Sequence, residues 1–331
     1  MSVALRVLVV RRDNIGDLVC TTPLFTALRS RFPEAWIGAL VNSYNAPVLH
    51  GNPDVSAIFA YRKLKHREAG ETVLSNVWTR YRLVAALRRM KLDYVILAGN
   101  AARASGLARA LGAKSVVGLA APGTPAAPAQ GSHEVEITFR LARALGITGP
   151  PPAPTVIADD AAVARLRRDL GTRLAGAGRL IGIHISARKP SQRWPIERFA
   201  EVIRAVTRPA GAGVLLFWSP GPETDARHPG DDEKARSLAL ELRSLPLLPV
   251  PTLSLSELVA GLSLCDKVLC SDGGAMHLAA ALAKPIVCLF GQSDAARWHP
   301  WGVPQALLQP ASRDVRDIGV GDVLEGLGRL D

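Results

Sequence analysis

The stretch "VLCSDGGAMHLAAALAKPIVCLFG", Val268 to Gly291, decides the fold class. The apolar run Lys267–Cys270 predicts a buried strand, and Ser-Asp-Gly-Gly then turns the chain into a helix over Gly274–Ala283. Lys284-Pro285 ends that helix, and Ile286–Phe290 predicts a second strand. A strand, a helix and a second strand in so few residues make a βαβ unit, the element of an α/β fold with a parallel sheet. Gly273 and Gly274 leave the N–H groups of a helix start bare, which is how a phosphate or diphosphate is held. His277 lies near the first turn and can donate to the same anion. A lone histidine is more often structural, but this one shares its junction with Asp272 and a glycine pair.

The alternation continues on both sides. Leu180–Ile185 and Gly213–Trp218 read as strands, and Ile196–Arg204, Glu233–Leu242 and Ser256–Leu262 as helices. Nearer the N-terminus, Val7–Val10, Trp36–Val41 and Tyr94–Leu97 predict strands, with helices over Leu18–Arg31 and Val77–Met90. Tyr61–Asn76 is polar, mostly basic and without strand signal, so it reads as a loop. The tail "VGDVLEGLGRL" reads as a closing helix that Gly326 and Gly328 weaken. Four prolines within Pro150–Pro154 make a stiff extended connector, which sets two domains, 1–152 and 153–331. Each is expected to be a doubly wound parallel sheet.

Composition agrees and excludes. Hydrophobic residues make up 48% of the chain but aromatics only 5%, so the cores are built from Ala, Val, Leu and Ile, which suits helices packed on sheets. Forty Lys and Arg against 29 Asp and Glu give +11, a field that favours acidic partners. No basic run of five and no aromatic-interleaved basic motif occurs, so a nucleic-acid reader is not expected. The four cysteines form no CxxC and no metal-ligand spacing, which predicts buried thiols in a reduced compartment. The apolar start of the chain is too short to span a membrane and is broken by arginines where a signal peptide would continue, so a cytosolic protein is expected. Neither GxGxxG nor GxxxxGK[ST] is present.

Three more strand ends carry chemistry-bearing residues. In "RRDNIGD", Arg11–Asp17, Gly16 permits a close turn and Asp17 stands where the positive end of a helix favours a carboxylate. Its reading is open between a plain cap and a carboxylate with a chemical task, and Pro23 would cost a helix begun there a hydrogen bond. In "HISARKPSQRWP", His184–Pro195, Ser186 can donate to a phosphate, and Arg188, Lys189 and Arg193 place three cations within six positions. In "GDDEKA", Asp231, Asp232 and Glu233 open a helix; capping is the favoured role, with metal or ribose binding as the alternatives.

Taken together, "RRDNIGD", "RWP", "GDDEKA" and "SDGGAMHLAAAL…PIVCLFGQSD" resemble glycosyltransferase family 9, the heptosyltransferase family of lipopolysaccharide core assembly. The resemblance runs over nearly the whole chain in order. It implies a GT-B fold, two Rossmann-like domains facing a central cleft, with the acceptor bound by the first and a nucleotide-sugar donor by the second. It further implies Asp17 as general base of an inverting transfer, with Asn14 and Gly16 on the acceptor-side loop. The donor would be held by Ser186, Gln192, Arg193, Glu233, Asp272, Gly273, Gly274 and His277. The implied partners are ADP-heptose and a lipid-linked phosphorylated glycan at the anionic inner face of the inner membrane, where the protein would sit peripherally; no metal or other cofactor is implied. Gln192 departs from the pattern, which often has Lys there, and this puts the donor sugar in question. The alternatives are another nucleotide sugar and glycan acceptor, or a nucleotide-binding protein without transferase activity.

Overall fold

Every strand pairs parallel to its neighbours, as the βαβ alternation leads one to expect. The computed structural model describes residues 4–61, 73–99, 101–119, 131–174, 176–208, 211–225 and 229–331. The chain forms two compact units, Met1–Thr155 and Val156–Asp331, dividing just past the proline run. The Thr155 backbone N–H donates to Thr22 Oγ1 at 2.9 Å, so the end of the connector is tied to the first unit.

The first unit holds β1 (Arg6–Val10), β2 (Trp36–Asn42), β3 (Ala57–Tyr61), β4 (Tyr94–Leu97) and β5 (Ser115–Gly118), in the order β3-β2-β1-β4-β5. Leu8, Val10, Leu40, Val95 and Leu97 from three central strands bury together with Leu87, Leu92, Ala108 and Leu111. The second unit holds β6 (Arg179–His184), β7 (Ala212–Trp218), β8 (Leu247–Pro251), β9 (Lys267–Ser271), β10 (Ile286–Leu289) and β11 (Gln305–Leu308), in the order β11-β10-β9-β6-β7-β8. All of β7 is buried, the continuous apolar run of a strand covered on both faces. Phe199, Val202 and Ile203 of the helix Ile196–Thr207 join this core, each fully buried apolar side chain contributing roughly 1.5–3 kcal/mol.

Counted within its own unit, the second sheet has the same order as the first with one strand added. In each, the order reverses between the unit's first and fourth strands: β1 and β4, then β6 and β9. Doubly wound sheets take ligands outside the carboxyl ends of the strands at this switch point.

All seven strands expected from sequence form, and they are the interior strands. The four not foreseen, β3, β5, β8 and β11, are the sheet edges, where one flank is unpaired and the apolar signal thins. β8 even carries Pro249 and Pro251, which only an edge tolerates. The expected helix Leu18–Arg31 is in fact two, α1 (Ile15–Val19) and α2 (Thr22–Arg31). Pro23 explains the break: it sits in the first turn of α2, where its missing N–H is no loss. The expected loop Tyr61–Asn76 is corrected at both ends, since Tyr61 closes β3 and α3 (Val73–Arg89) begins at Val73; residues 62–72 lie outside the described set. After α3 come α4 (Ala101–Leu111), α5 (Glu134–Phe139), α6 (Asp160–Arg173), α7 (Ile196–Thr207), α8 (Asp232–Glu241), α9 (Leu255–Leu264), α10 (Gly274–Ala281) and α11 (Ala295–Trp298), and the closing helix forms as α12 (Val320–Arg329). Gly326 supports rather than weakens it: a Cβ there would lie 3.1 Å from Ala306 and 3.4 Å from Val287, so glycine brings the helix close onto β10 and β11.

Candidate functional site

At the first unit's switch point, β1 runs directly into Arg11, whose side chain is 3% exposed. Nη2 donates to Asp17 Oδ1 at 2.5 Å and to Glu134 Oε1 at 2.8 Å. Nη1 donates to the Ala98 carbonyl, just past β4, at 2.5 Å and to Thr138 Oγ1 at 3.2 Å, while Nε lies 3.3 Å from Asp13 Oδ2. One guanidinium therefore joins the ends of β1 and β4 to α1 and to the helix Glu134–Phe139, here α5. Gly99 gives the Asp13 carboxylate its place, because a Cβ there would come within 2.5 Å of Asp13 Oδ2.

Asp17 is not the helix mouth. The N-cap of α1 is Asn14, and Asp17 is its third residue, reaching back so that Oδ2 accepts from the Asn14 backbone N–H at 3.1 Å and from Asn14 Nδ2 at 2.9 Å. Burial pushes its carboxyl upward, but the charge and hydrogen bond of Arg11 together with the two Asn14 bonds outweigh burial and hold it below the usual aspartate range. Asp17 is thus ionised at neutral pH, with 13% of its side chain exposed. Burial also opposes the Arg11 charge, yet Asp17, Glu134 and Asp13 together raise its pKa, so it stays a cation. Gly16 is buried in the same turn. Two buried asparagines clamp the loop from β2 onward: Asn42 Nδ2 donates to the Arg12 carbonyl at 3.0 Å and the Asp13 carbonyl at 2.9 Å, and Asn45 Nδ2 to the Asn14 carbonyl at 3.4 Å.

At the second switch point the groups are mostly neutral. Gln192 ends a 3₁₀ turn after β6 and is 3% exposed; Nε2 donates to Asp272 Oδ2 at 2.5 Å and to Ser293 Oγ at 3.0 Å. Ser271 Oγ donates to the Gln192 carbonyl at 2.7 Å, which joins the ends of β6 and β9. Gly291 lets this turn approach, since a Cβ there would stand 2.2 Å from the Ser191 carbonyl oxygen. Helix α10 (Gly274–Ala281) starts at Gly273 with no side-chain cap and no acidic residue in its first turn. Its leading N–H groups thus have no capping carboxylate, the condition for holding an anion. His277 is buried one turn in, its ring edge-on to Trp298 with centroids 5.9 Å apart.

The other expected donor residues spread along the same end of the sheet. Ser186 Oγ accepts from the Ser219 N–H at 2.9 Å. Arg193 donates to the Ala187 carbonyl at 3.1 Å and pairs with Glu223 at 3.2 Å, so its charge is shared. Lys189 is the cation beside Gln192, its Nζ donating to Ser293 Oγ at 3.1 Å. Glu233 is exposed in the first turn of α8 (Asp232–Glu241), whereas Asp232 turns back to accept from Trp218 Nε1 at 2.7 Å and the Gly221 N–H at 2.9 Å. Among the described residues no cluster of three or more His, Cys, Asp or Glu could hold a metal ion.

Sequence reading missed Arg11, Glu134, Asn42, Asn45 and Ser293. The "SHEVE" run carries a helix-start signal that the structure uses, with His133 as N-cap and Glu136 reaching back to its N–H at 2.9 Å. Nothing in that run marks Glu134 as the partner of an arginine 123 residues away.

Comparison with known proteins gives the family. Residues 80–314 match glycosyltransferase family 9 (heptosyltransferase). Lipopolysaccharide heptosyltransferase 3 of Escherichia coli is 25% identical over 319 residues, covering 93% of this chain and 89% of that protein. Among solved structures, the glycosyl transferase family 9 protein of Veillonella parvula superposes with a TM-score of 0.82 at 21% identity, covering 100% of this chain and 98% of that one. E. coli heptosyltransferase WaaC with ADP-2-deoxy-2-fluoro heptose gives 0.78 at 20% identity, covering 99% and 100%. The two doubly wound units are those of the GT-B fold, and the chain belongs to glycosyltransferase family 9, the heptosyltransferases.

Proposed function

We propose that this glycosyltransferase moves heptose from ADP-heptose to a lipid-linked lipopolysaccharide inner-core acceptor, with inversion at the anomeric carbon. The observation that carries the reading is the difference between the two helix starts at the switch points. That of α1 holds the Asp17 carboxylate, which repels an anion, and that of α10 is uncapped. A base belongs at the first and a diphosphate at the second. The names of the relatives fit, since one is a lipopolysaccharide heptosyltransferase and another holds an ADP-heptose analogue.

In this reading the first unit takes the acceptor and the second the donor. Asn14 and Gly16 shape the acceptor-side loop, and Asp17 takes the proton of the acceptor hydroxyl. A carboxylate of low basicity does this late, once the forming C–O bond has made the hydroxyl acidic. The hydroxyl oxygen attacks the anomeric carbon, the bond to the ADP oxygen breaks through an oxocarbenium-like state, and both bonding electrons leave with the diphosphate. The Gly273–Gly274 helix start, His277, Ser186 and Arg193 stabilise that leaving charge; Gln192 and Asp272 orient the sugar and phosphates, and Glu233 meets the nucleoside. No metal is needed, so turnover persists in excess chelator. The +11 charge suits a phosphorylated acceptor at an anionic membrane, to which the protein would bind from the cytoplasmic side. No helix among the described residues is long and apolar enough to cross a membrane.

The test follows nucleoside diphosphate release from ADP-heptose, UDP-GlcNAc and related donors, with and without a heptose-deficient core acceptor. Release only from ADP-heptose plus acceptor is expected. Release from a different donor would overturn the donor assignment. Tight NAD(P) binding without sugar transfer would overturn the reaction.

A further inference from the structure

Arg11 is bound more heavily than the partner of a single aspartate needs to be. A buried ion pair already holds Asp17, yet the same Nη2 that reaches Asp17 also donates to Glu134, a second buried carboxylate. Burying another ionised group is costly unless the pairing returns something. Glu134 is the first residue of α5 and 1% exposed, and the Thr138 hydroxyl one turn along the same helix accepts from Arg11 Nη1. α5 thus grips the guanidinium at both ends of its fork. The titratable groups facing the cluster are Arg11 at the end of β1, Asp13 in the loop, Asp17 from α1, the Cys20 thiol just past it, and Glu134 from α5.

We propose that Glu134 is a positioning residue for the reaction: acting through Arg11, it fixes the guanidinium against Asp17 and offsets its positive charge, so that the carboxylate can still accept the acceptor's proton. The proposal rests on Asp17 being the base. A second carboxylate on the same nitrogen weakens the hold of Arg11 on the Asp17 anion and makes Asp17 a better proton acceptor than an isolated Arg–Asp pair would allow. Without Glu134, the unshared guanidinium would stabilise the Asp17 anion at the expense of its basicity.

The kinetic test uses the full chain carrying Glu134→Gln, which keeps the shape and loses the charge, or Glu134→Asp, which keeps the charge. Glu134→Gln is expected to lower kcat about tenfold, the rate equivalent of one pKa unit, with the donor KM unchanged, and Glu134→Asp to recover most of the loss. A purely structural role would lower apparent kcat only in proportion to the folded fraction, so kcat is referred to folded enzyme measured by circular dichroism, and a loss that vanishes on that correction would overturn the proposal. A second readout does not depend on turnover. With aspartate carboxyls labelled with carbon-13, Asp17 is expected to titrate at higher pH in the wild type than in Glu134→Gln, because only the wild type offsets the Arg11 charge, and the difference is expected to shrink when Arg11→Gln is added to both. Wild-type kcat in folded Glu134→Gln, or identical Asp17 titration in the wild type and Glu134→Gln, would overturn the proposal. If Arg11→Gln does not fold, the kinetics of the two Glu134 variants decide. A separation of the two titrations alongside full activity in Asp17→Asn would uphold the coupling and overturn Asp17 as the base.

Discussion

The two switch points share one topology and are furnished in opposite ways. After β1, the chain buries an arginine among three carboxylates, one of which reaches back from the first turn of the following helix to its cap, Asn14. After β9, it lays down Asp-Gly-Gly, leaves the helix uncapped and links β6 to β9 through an amide and two serine hydroxyls. On the proposed roles, a base at the first and the donor diphosphate at the second, the difference follows from what each task demands. A carboxylate base must be ionised, aimed and kept from collapsing onto water, which needs fixed countercharge. A leaving diphosphate brings its own charge and needs donors already waiting, which backbone N–H groups supply without reorganisation.

The contrast can be broken or sharpened by substitution. The largest effect is expected at the charged end: Arg11→Met leaves Asp17 and Glu134 without their cation and should lower unfolding stability by about 3–5 kcal/mol in urea titration. A loss under about 1 kcal/mol, the scale of exposed pairs, would mean the cluster is not charge-built.

Next comes pH. Burial drives His184, at the end of β6, from 6.5 down to about 4, against the pull of Asp231 and a hydrogen bond with the Ser186 backbone. Since its folded value is depressed, the unfolded chain binds the extra proton first; stability is full above 6.5, falls between 6.5 and about 4, and levels below. The loss is on the order of 3 kcal/mol and should largely vanish in His184→Gln when urea midpoints at pH 7.5 and 4.5 are compared. Asp17 acts at lower pH: its folded value lies below the unfolded ~3.9, so its contribution is present above that pH and is lost as pH falls through the folded value.

A smaller effect is expected at the neutral end, where Gln192→Ala strips Asp272 and Ser293 of their shared donor. It should cost about 1–3 kcal/mol, read as weaker donor binding in calorimetry together with a lower unfolding midpoint. The smallest belongs to the surface: breaking the exposed Arg204–Glu241 pair by Glu241→Gln should change stability by no more than about 1 kcal/mol.

The interior strands were legible because burial on both faces forces an unbroken apolar run, as in "GVLLFW" of β7. The edges were not, because half-covered strands such as "LLPVP" no longer need that pattern. Of the site, the glycine pair at the start of α10 and Asp17 after β1 were visible, since local backbone chemistry marks both. Asn14 was given only a place on the loop, and the structure makes it the cap that steers Asp17. Arg11 looked like one more arginine in a basic chain. Its burial follows from Glu134, Ala98 and Thr138, all more than 80 residues away, a relation that exists only once the sheet has formed.

The central claim is that Asp17 is the base and the α10 end holds the donor. Its most direct test pairs ADP-heptose binding with turnover in Asp17→Asn. Donor affinity equal to wild type with a rate at least ~10²-fold lower is the predicted result. Near wild-type turnover would contradict it, as would loss of donor binding together with the rate.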